Sequence, residues 1–572
     1  MEPVREKRWR VAEPDECLVA ALSRECSVSP LAAALLVNRG IERPDAAKRF
    51  LSSSLAELHD PFLLLDMEKA VERLKDAIIN GERICVYGDY DVDGVTSVTL
   101  LTSFLRTLGV DCVYHIPNRL EDGYGLSATG IRSAFDSGAR LIVTADCGIT
   151  ACAEAELCAS LGIDLIITDH HTPSGEIPSA LAVINPLRPG CLFPFKSLAG
   201  VGVVFNLVIA LRSCLRAAGF FEGRNEPNLR EYLDLVALGT IADIVPLVDE
   251  NRILVSHGLR ELTVASRTGV RALKTVSGIN GDVDCGAVGF RLAPRLNAAG
   301  RLEDAATGVE LLLTDDGALA ASLAGELNAS NEERQCLEQS IILDALEKLR
   351  CDPAMATRKS IVLASASWHH GVIGIVASRL VDLFHRPTIL IALEGEHGKG
   401  SGRSIPGFHL HEALSACSQH LVRFGGHKYA AGLTVGVETL RSFIERFDEI
   451  AEAALAVEDL LPELRIDAEL APEQISLQTA EEITSLEPFG MGNPRPVFLL
   501  RNVGVLQKSV LKEKHVRLRL VAGGLDFEAI GFNLAEGFPD HDTLDVAFSL
   551  DINVWNGKRS ARLRIKDVRA SA

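Results

Sequence analysis

The sequence has no run of about 18 apolar residues, and no apolar stretch follows its charged start, MEPVREKRWR. Neither a membrane span nor a secretory leader is expected, and the reading is a cytoplasmic protein. The 13 cysteines are scattered singly with no C-x-x-C pair, which argues against a zinc ribbon or disulfide framework and for buried thiols. There is no G-x-S-x-G elbow, and GKG at 398–400 lacks the spaced glycine and the Ser/Thr of a P-loop, so serine-nucleophile and P-loop chemistries are set aside. Solenoid repeats and low-complexity tracts are missing too. Positive charge is in short supply: 58 Lys and Arg face 77 Asp and Glu, a net charge of −19, which repels nucleic acid at long range. The average hides a local surplus, because residues 501–572 hold 12 Lys and Arg against 9 Asp and Glu.

What is present is an ordinary globular balance, 47% hydrophobic and 24% charged, in 572 residues. At roughly 150 residues per domain, three to four domains follow. From about 60 to 190, short apolar runs alternate with amphipathic ones: ICVYG (84–88), VTSVTLLTSFLRTLG (95–109), CVYHIP (112–117), LIVTADCG (141–148) and LIITDHH (165–171). This βαβ rhythm predicts an α/β domain on a mainly parallel sheet. Residues 317–350 read as one long polar-faced helix able to bridge two lobes. A second α/β region begins at SIVLASA (360–366) and continues through GVIGIVASRLVDLF (371–384) and PTILIAL (387–393). Beyond a Pro/Glu-rich connection at 461–496, period-2 runs VRLRL (516–520), DVAFSLDINVW (545–555) and ARLRIKDV (561–568), with a hairpin signal at Asn556-Gly557, predict a small β module. The expected divisions are an N-terminal region 1–60, a first domain 61–310, a connecting helix 311–350, a second domain 351–460 and a β domain 461–572.

The sharpest motif is GDYDVDG (88–94), with Asp89, Asp91 and Asp93 between an apolar strand and a helix. Three carboxylates so close repel one another unless cations sit among them. A calcium EF-hand loop would need a bidentate Glu at its twelfth position, where this chain has Leu100; a plain solvated acidic turn is the other rival. The next strands end at Asp146 and at Asp169, His170 and His171, and a further acid, Asp243, lies between apolar runs in LGTIADIVPL. Ligand sites of open α/β sheets form at the carboxyl ends of the strands, so these residues converge on one crevice. Carboxylate and imidazole without thiolate suit Mn²⁺ or Mg²⁺, and two such ions about 4 Å apart would clamp an in-line phosphoryl displacement. Phosphoester hydrolysis is the leading class. Anion contacts are expected from Ser401 and Arg403 in GSGRS (400–404), from His427 in FGGHKYAAG (424–432), and from Arg295, Asn297 and Arg301 in RLAPRLNAAGR (291–301). Arg119, at the end of CVYHIP, could face the same crevice.

GDYDVDG, TADCG, TDHH and IADIVPL, taken in order, resemble the motifs of DHH phosphoesterases, and WHHGVIGIVASRL (368–380), GSGRS and FGGHKYAAG resemble the DHH-associated domain. RLNAAGR, LNASNEERQ (327–335) and LEPFGMGNPRPVF (486–498) are similar to the RecJ branch of that superfamily. The resemblance implies two Mn²⁺ or Mg²⁺ ions held by Asp91, Asp93, Asp146, His170 and Asp243, with Asp89 beside them. It implies that His171 meets the scissile phosphate, that Asp169 supports the histidines, and that Arg119, Arg301, Ser401 and Arg403 hold DNA, the last two at a 5′ phosphate. The β module would be an oligonucleotide-binding (OB) barrel with Arg562, Arg564 and Lys566 on a strand-tracking face. The implied activity is 5′ to 3′ hydrolysis of single-stranded DNA to mononucleotides in recombination and repair, beside single-stranded-DNA-binding protein and a helicase. A phosphodiesterase for short oligonucleotides would not require the basic β module, and a non-catalytic replication scaffold would have lost acidic or histidine motifs that are intact here.

Overall fold

Runs such as ICVYG and LIVTA have no polar face, and the strands they form, Ile84–Gly88 and Leu141–Ala145, are buried along their whole length, as strands covered on both sides must be. In the computed structural model, which describes residue 4 and residues 6–117, 125–173, 175–302 and 304–571, they lie in a five-stranded sheet. Its order is Cys112–His115, Ile84–Gly88, Leu141–Ala145, Asp164–Thr168, Ala182–Ile184, with every pairing parallel. The edge strand Ala182–Ile184 has no counterpart in the sequence reading. Val98, Leu101 and Phe104 of the Val92–Thr107 helix pack with Val204, Leu207 and Leu211 of Gly200–Ala217 and Leu235 and Val236 of Leu233–Ala242. Each fully buried side chain of this size contributes roughly 1.5–3 kcal/mol. The Gly200–Ala217 helix is long and apolar enough to cross a membrane, with a mean hydropathy of 1.5, yet 67% of it is buried inside the protein.

The described chain divides into two compact units. The parallel sheet belongs to the one formed by Cys17–Asn331 and Thr484–Arg495. Part of the N-terminal region is thus built into it: the Arg49 Nη2 and the His59 ring both meet Asp249 Oδ1, at 3.0 and 2.9 Å. So is the segment Thr484–Arg495, which the sequence reading places in the C-terminal β domain.

The other unit comprises Met1–Glu16, Glu332–Ile483 and Pro496–Ala572. Its first sheet runs Leu421–Gly426, Ala430–Gly436, His397–Arg403, Thr388–Glu394, Ile361–Ser365, parallel only between the last two. Residues 400–403 of GSGRS end a strand here. Its glycines admit the neighbouring side chains, since a Cβ on Gly400 would come within 2.8 Å of Leu433 Cδ1. The predicted long helix is Gly317–Cys351. The C-terminal strands Phe498–Leu511, His515–Ala522, Leu525–Gly531, Thr543–Trp555 and Lys558–Ala570 close into a barrel through pairing of the first with the fourth. Asn556 (φ 47°) and Gly557 (φ 75°) make the turn of the last hairpin, the two left-handed residues a type I′ turn requires. In the last strand Leu563 and Ile565 point inward while Arg562, Arg564 and Lys566 alternate with them. An N-terminal strand, Arg8–Val11, pairs in parallel with Glu463–Ile466, and Trp9 Nε1 donates to Asp567 Oδ2 at 2.7 Å.

Candidate metal centre

Three adjacent parallel strands end immediately before Asp89, Asp146 and Asp169. Asp91 caps the Val92–Thr107 helix, its Oδ1 accepting from Gly94 N at 3.1 Å, and so fixes Asp93 in the first helical turn. Asp93 is 1% exposed. Its carboxylate accepts from Gly200 N (2.6 Å) and Val201 N (2.9 Å), the free amides at the head of the Gly200–Ala217 helix, where a negative charge is favoured by about 0.3–2 kcal/mol. A Cβ on Gly200 would fall 2.4 Å from Asp146 Oδ1; only glycine lets that helix approach so closely. Asp146 holds φ at +67°, a conformation that non-glycine residues adopt mainly where function or tight packing demands it.

Asp169 is the organiser of the histidines. Its Oδ1 accepts from His170 N (2.7 Å), His171 N (3.0 Å) and lies 2.7 Å from His171 Nδ1, while Oδ2 accepts from Ile149 N at 2.8 Å. Burial pushes its carboxyl upward, but these hydrogen bonds outweigh that and hold it below the ordinary range. His170 Nε2 is thereby aimed at Asp146 Oδ1 (3.1 Å), Asp243 Oδ2 (3.5 Å) and Asp93 Oδ2 (3.8 Å), although it is buried and makes no hydrogen bond among the described residues. A nitrogen surrounded by carboxylate oxygens without hydrogen-bond geometry is placed as a ligand would be.

The electrostatics agree. Burial and the Asp91 charge push Asp93 up to about 7, and burial with the Asp93 and Asp91 charges pushes Asp243 up to about 8. Burial followed by the charges of Asp93, Asp91 and Asp89 raises Asp146 well above the usual carboxylate range. Burial, helped by the His171 charge, pulls His170 down to about 4, so it is neutral at pH 7 with a lone pair to offer. His171 goes the other way: burial opposes its proton, but the Asp169 hydrogen bond and the charges of Asp169, Asp243 and Asp93 outweigh it and lift the ring to about 9. Its side chain is 40% exposed, a protonated imidazolium reachable from solvent.

Three overlapping groups place their ligand atoms within 4.8 Å of one another: Asp89, Asp91 and Asp146; Asp93, His170 and Asp243; Asp146, His170 and His171. The first two share no residue, so the donor set divides into two triads of oxygens and one imidazole. That chemistry fits hard divalent cations. The neighbouring thiol does not join it: Cys147 Sγ lies 3.8 Å from Tyr87 O.

The anion contacts fare differently. Ser401 and Arg403 do come together, Arg403 Nη1 donating to Ser401 Oγ at 3.2 Å, beside Gly374 at the start of the Ile373–Phe384 helix. His427 is exposed in the turn between the Leu421–Gly426 and Ala430–Gly436 strands. RLAPRLNAAGR is helical, and the side chains of Arg295 and Asn297 make internal hydrogen bonds. Arg295 donates to Asn328 Oδ1 (2.9 Å) and Arg291 O (2.6 Å), and Asn297 Oδ1 accepts from Val92 N at 3.2 Å. Asn297 therefore steadies the GDYDVDG turn. Arg301 ends the same helix, half-buried. Arg119 lies outside the described residues. Sequence reasoning missed the amides of Gly200 and Val201; the signal available was Ala-Gly-Val-Gly at the head of an apolar helix.

Family profiles match in three places: the DHH family N-terminal domain over 83–240, the DHHA1 domain over 358–453 and the RecJ OB domain over 466–567. The single-stranded-DNA-specific exonuclease RecJ of Escherichia coli is 40% identical over 559 residues, 94% of this chain and 96% of that one. The chain belongs to the RecJ family. RecJ of Bacillus subtilis is also 40% identical, over 99% of this chain and 71% of its own. RecJ of Thermus thermophilus in complex with Mn²⁺ superposes with a TM-score of 0.84 at 35% identity, covering 99% of this chain and 80% of that one. The same enzyme with Mg²⁺ gives 0.79 at 33%, covering 99% and 79%. The fold is accordingly a parallel-sheet DHH domain, a DHHA1 domain and a closed OB barrel.

Proposed function

We propose that this RecJ-family chain is a metal-dependent exonuclease that degrades single-stranded DNA in the 5′ to 3′ direction, using two Mn²⁺ or Mg²⁺ ions. The observation that carries the reading is the pair of separate donor triads, Asp89/Asp91/Asp146 and Asp93/His170/Asp243, at the carboxyl ends of one sheet. When bound, such ions supply a nucleophilic hydroxide near neutral pH and offset charge on the phosphoryl oxygens. The chain's own residues do the rest. Asp169 keeps both histidines in place, His170 stays neutral, and His171 holds a proton on an accessible ring that suits contact with a scissile phosphate.

Breaking the bond to the 3′ oxygen of the terminal nucleotide releases a mononucleotide and leaves a new 5′ phosphate on the shortened strand. Ser401 and Arg403, together at a helix start, are suited to that phosphate through charge-assisted hydrogen bonds. Arg301 and the basic positions of the barrel would hold the rest of the strand. Work in cytoplasmic recombination and repair, alongside single-stranded-DNA-binding protein and a helicase, belongs to the same reading.

The test is the purified chain with Mn²⁺ on single strands labelled at either end. Mononucleotides should appear first from the 5′ label, and Asp93→Ala and His170→Ala should each lose several orders of magnitude in rate while remaining folded. Release from the 3′ label first, or near-parental turnover by either folded variant, would overturn the reading.

A further inference from the structure

The segment Leu486–Asn493 is remote in sequence from the metal centre, yet it is bound into the catalytic unit by polar contacts made almost without solvent. Arg252 is 2% exposed; its Nη1 donates to Leu486 O and its Nε to Phe50 O, both at 2.9 Å, with the guanidinium 3.7 Å above the Phe50 ring. Asn493, 0% exposed, donates to Leu486 O (2.8 Å) and Pro488 O (2.9 Å) and accepts from Arg39 Nε at 2.7 Å. Arg39 also donates to Pro494 O at 2.6 Å. These bonds close the segment into a rigid loop, with Gly490 and Asn493 exchanging main-chain hydrogen bonds across it.

The face this loop presents is the stretch that follows Asp243. Leu247 N donates to Met491 O at 2.7 Å, and Gly490 and Gly492 lie against Leu247, Pro246 and Val248. From inside, Asn251 Nδ2 holds Pro246 O (3.0 Å) and Ser197 O (2.6 Å). Between Asp243 and this clamped stretch stands Ile244, a β-branched residue at φ +60° with 66% of its surface exposed. That backbone state is strained for isoleucine, and strain of this kind persists only where the surroundings over-determine it. Ile244 N donates to Ile241 O at 3.3 Å, and the residues the loop clamps, 246–248, follow directly in the chain.

We propose that Leu486–Asn493 is a brace, with Arg39 and Asn493 as positioning residues that fix the Ile244 turn and so hold Asp243 in ligand position. This deepens the metal-centre reading and rests on it.

Mn²⁺ affinity of the full chain, measured from the free-ion electron paramagnetic resonance signal without DNA, is the deciding quantity. Asn493→Ala should weaken it about tenfold, in the range known for residues that orient metal ligands, and Arg39→Ala, at a half-buried position, by a smaller factor. Adding Ile244→Gly to Asn493→Ala should recover most of the loss, because glycine needs no clamp to adopt positive φ. Single-strand affinity in EDTA should stay parental. If Asn493→Ala fails to fold by circular dichroism, Arg39→Ala alone decides. Parental Mn²⁺ affinity in the folded variant, even with a lowered melting temperature, would overturn the brace. Asp243→Asn measured alongside separates the two readings: unchanged Mn²⁺ affinity there would overturn the metal assignment and the brace with it.

Discussion

At the scale of single residues, the candidate metal centre is a set of acids that cannot all carry charge without help. Asp93 at about 7, Asp243 at about 8 and His171 at about 9 all bind protons more tightly when folded than the ordinary side chains do. The stability such groups contribute is complete below their unfolded values and is lost as pH rises through the folded ones. His170, pulled down to about 4, acts oppositely, but only between about 4 and its ordinary value. Metal-free protein should therefore melt at a lower temperature at pH 8.5 than at pH 7. Saturating Mg²⁺ binds only the ionised carboxylates, so the increment it adds should be larger at pH 8.5 than at pH 7. Thermal melts in EDTA and in Mg²⁺ at the two pH values would check this; an increment that shrinks with pH would contradict the assignment of these groups.

At the scale of elements, a helix start faces a carboxylate. Gly200→Ala puts a methyl group 2.4 Å from Asp146 Oδ1, and either the helix or the carboxylate must yield. The expected result is a kcat at least tenfold lower, with a stability cost of about 1–3 kcal/mol, typical of overpacking, to be checked by turnover and denaturant melts. The elements themselves were largely legible in the chain. Val92–Thr107, Gly317–Cys351 and the strands ending just before Asp146 and Asp169 follow from periodicity and from apolar runs closed by acids. His397–Arg403 was not legible as a strand, because its glycines answer to Leu433, Ile391 and Leu410 on neighbouring elements. The internal hydrogen bonds of Arg295 to Asn328 and of Asn297 to Val92 were not legible either, because a sequence shows a side chain's chemistry but not its partner in the fold.

At the scale of the molecule, a chain of net charge −19 must bind a polyanion through a local field. The last barrel strand offers one, with Arg564 exposed above the Phe532 ring at 5.2 Å, a pairing of cation and aromatic that suits a stacked base. On the His515–Ala522 strand the arginines are already matched, Arg517 with Glu528 and Arg519 with Asp526. Replacing Arg562, Arg564 and Lys566 together by Ala should weaken binding of long single strands and flatten its salt dependence by roughly 0.7 in log–log slope for each phosphate no longer neutralised. Hydrolysis of very short oligonucleotides at saturation should change little. Titrations at several salt concentrations measure both, and an unchanged slope on long DNA would place the strand-tracking surface elsewhere.

The strand Arg8–Val11 has its hydrogen-bonding partner in Glu463–Ile466, 455 residues further along. On a ribosome adding roughly 5–20 residues per second, Arg8–Val11 waits between about 20 and 90 seconds for its neighbour to be translated. Throughout that interval the segment lacks its strand partner, leaving the kind of edge that chaperones cover. The architecture therefore postpones this pairing until translation has passed residue 466.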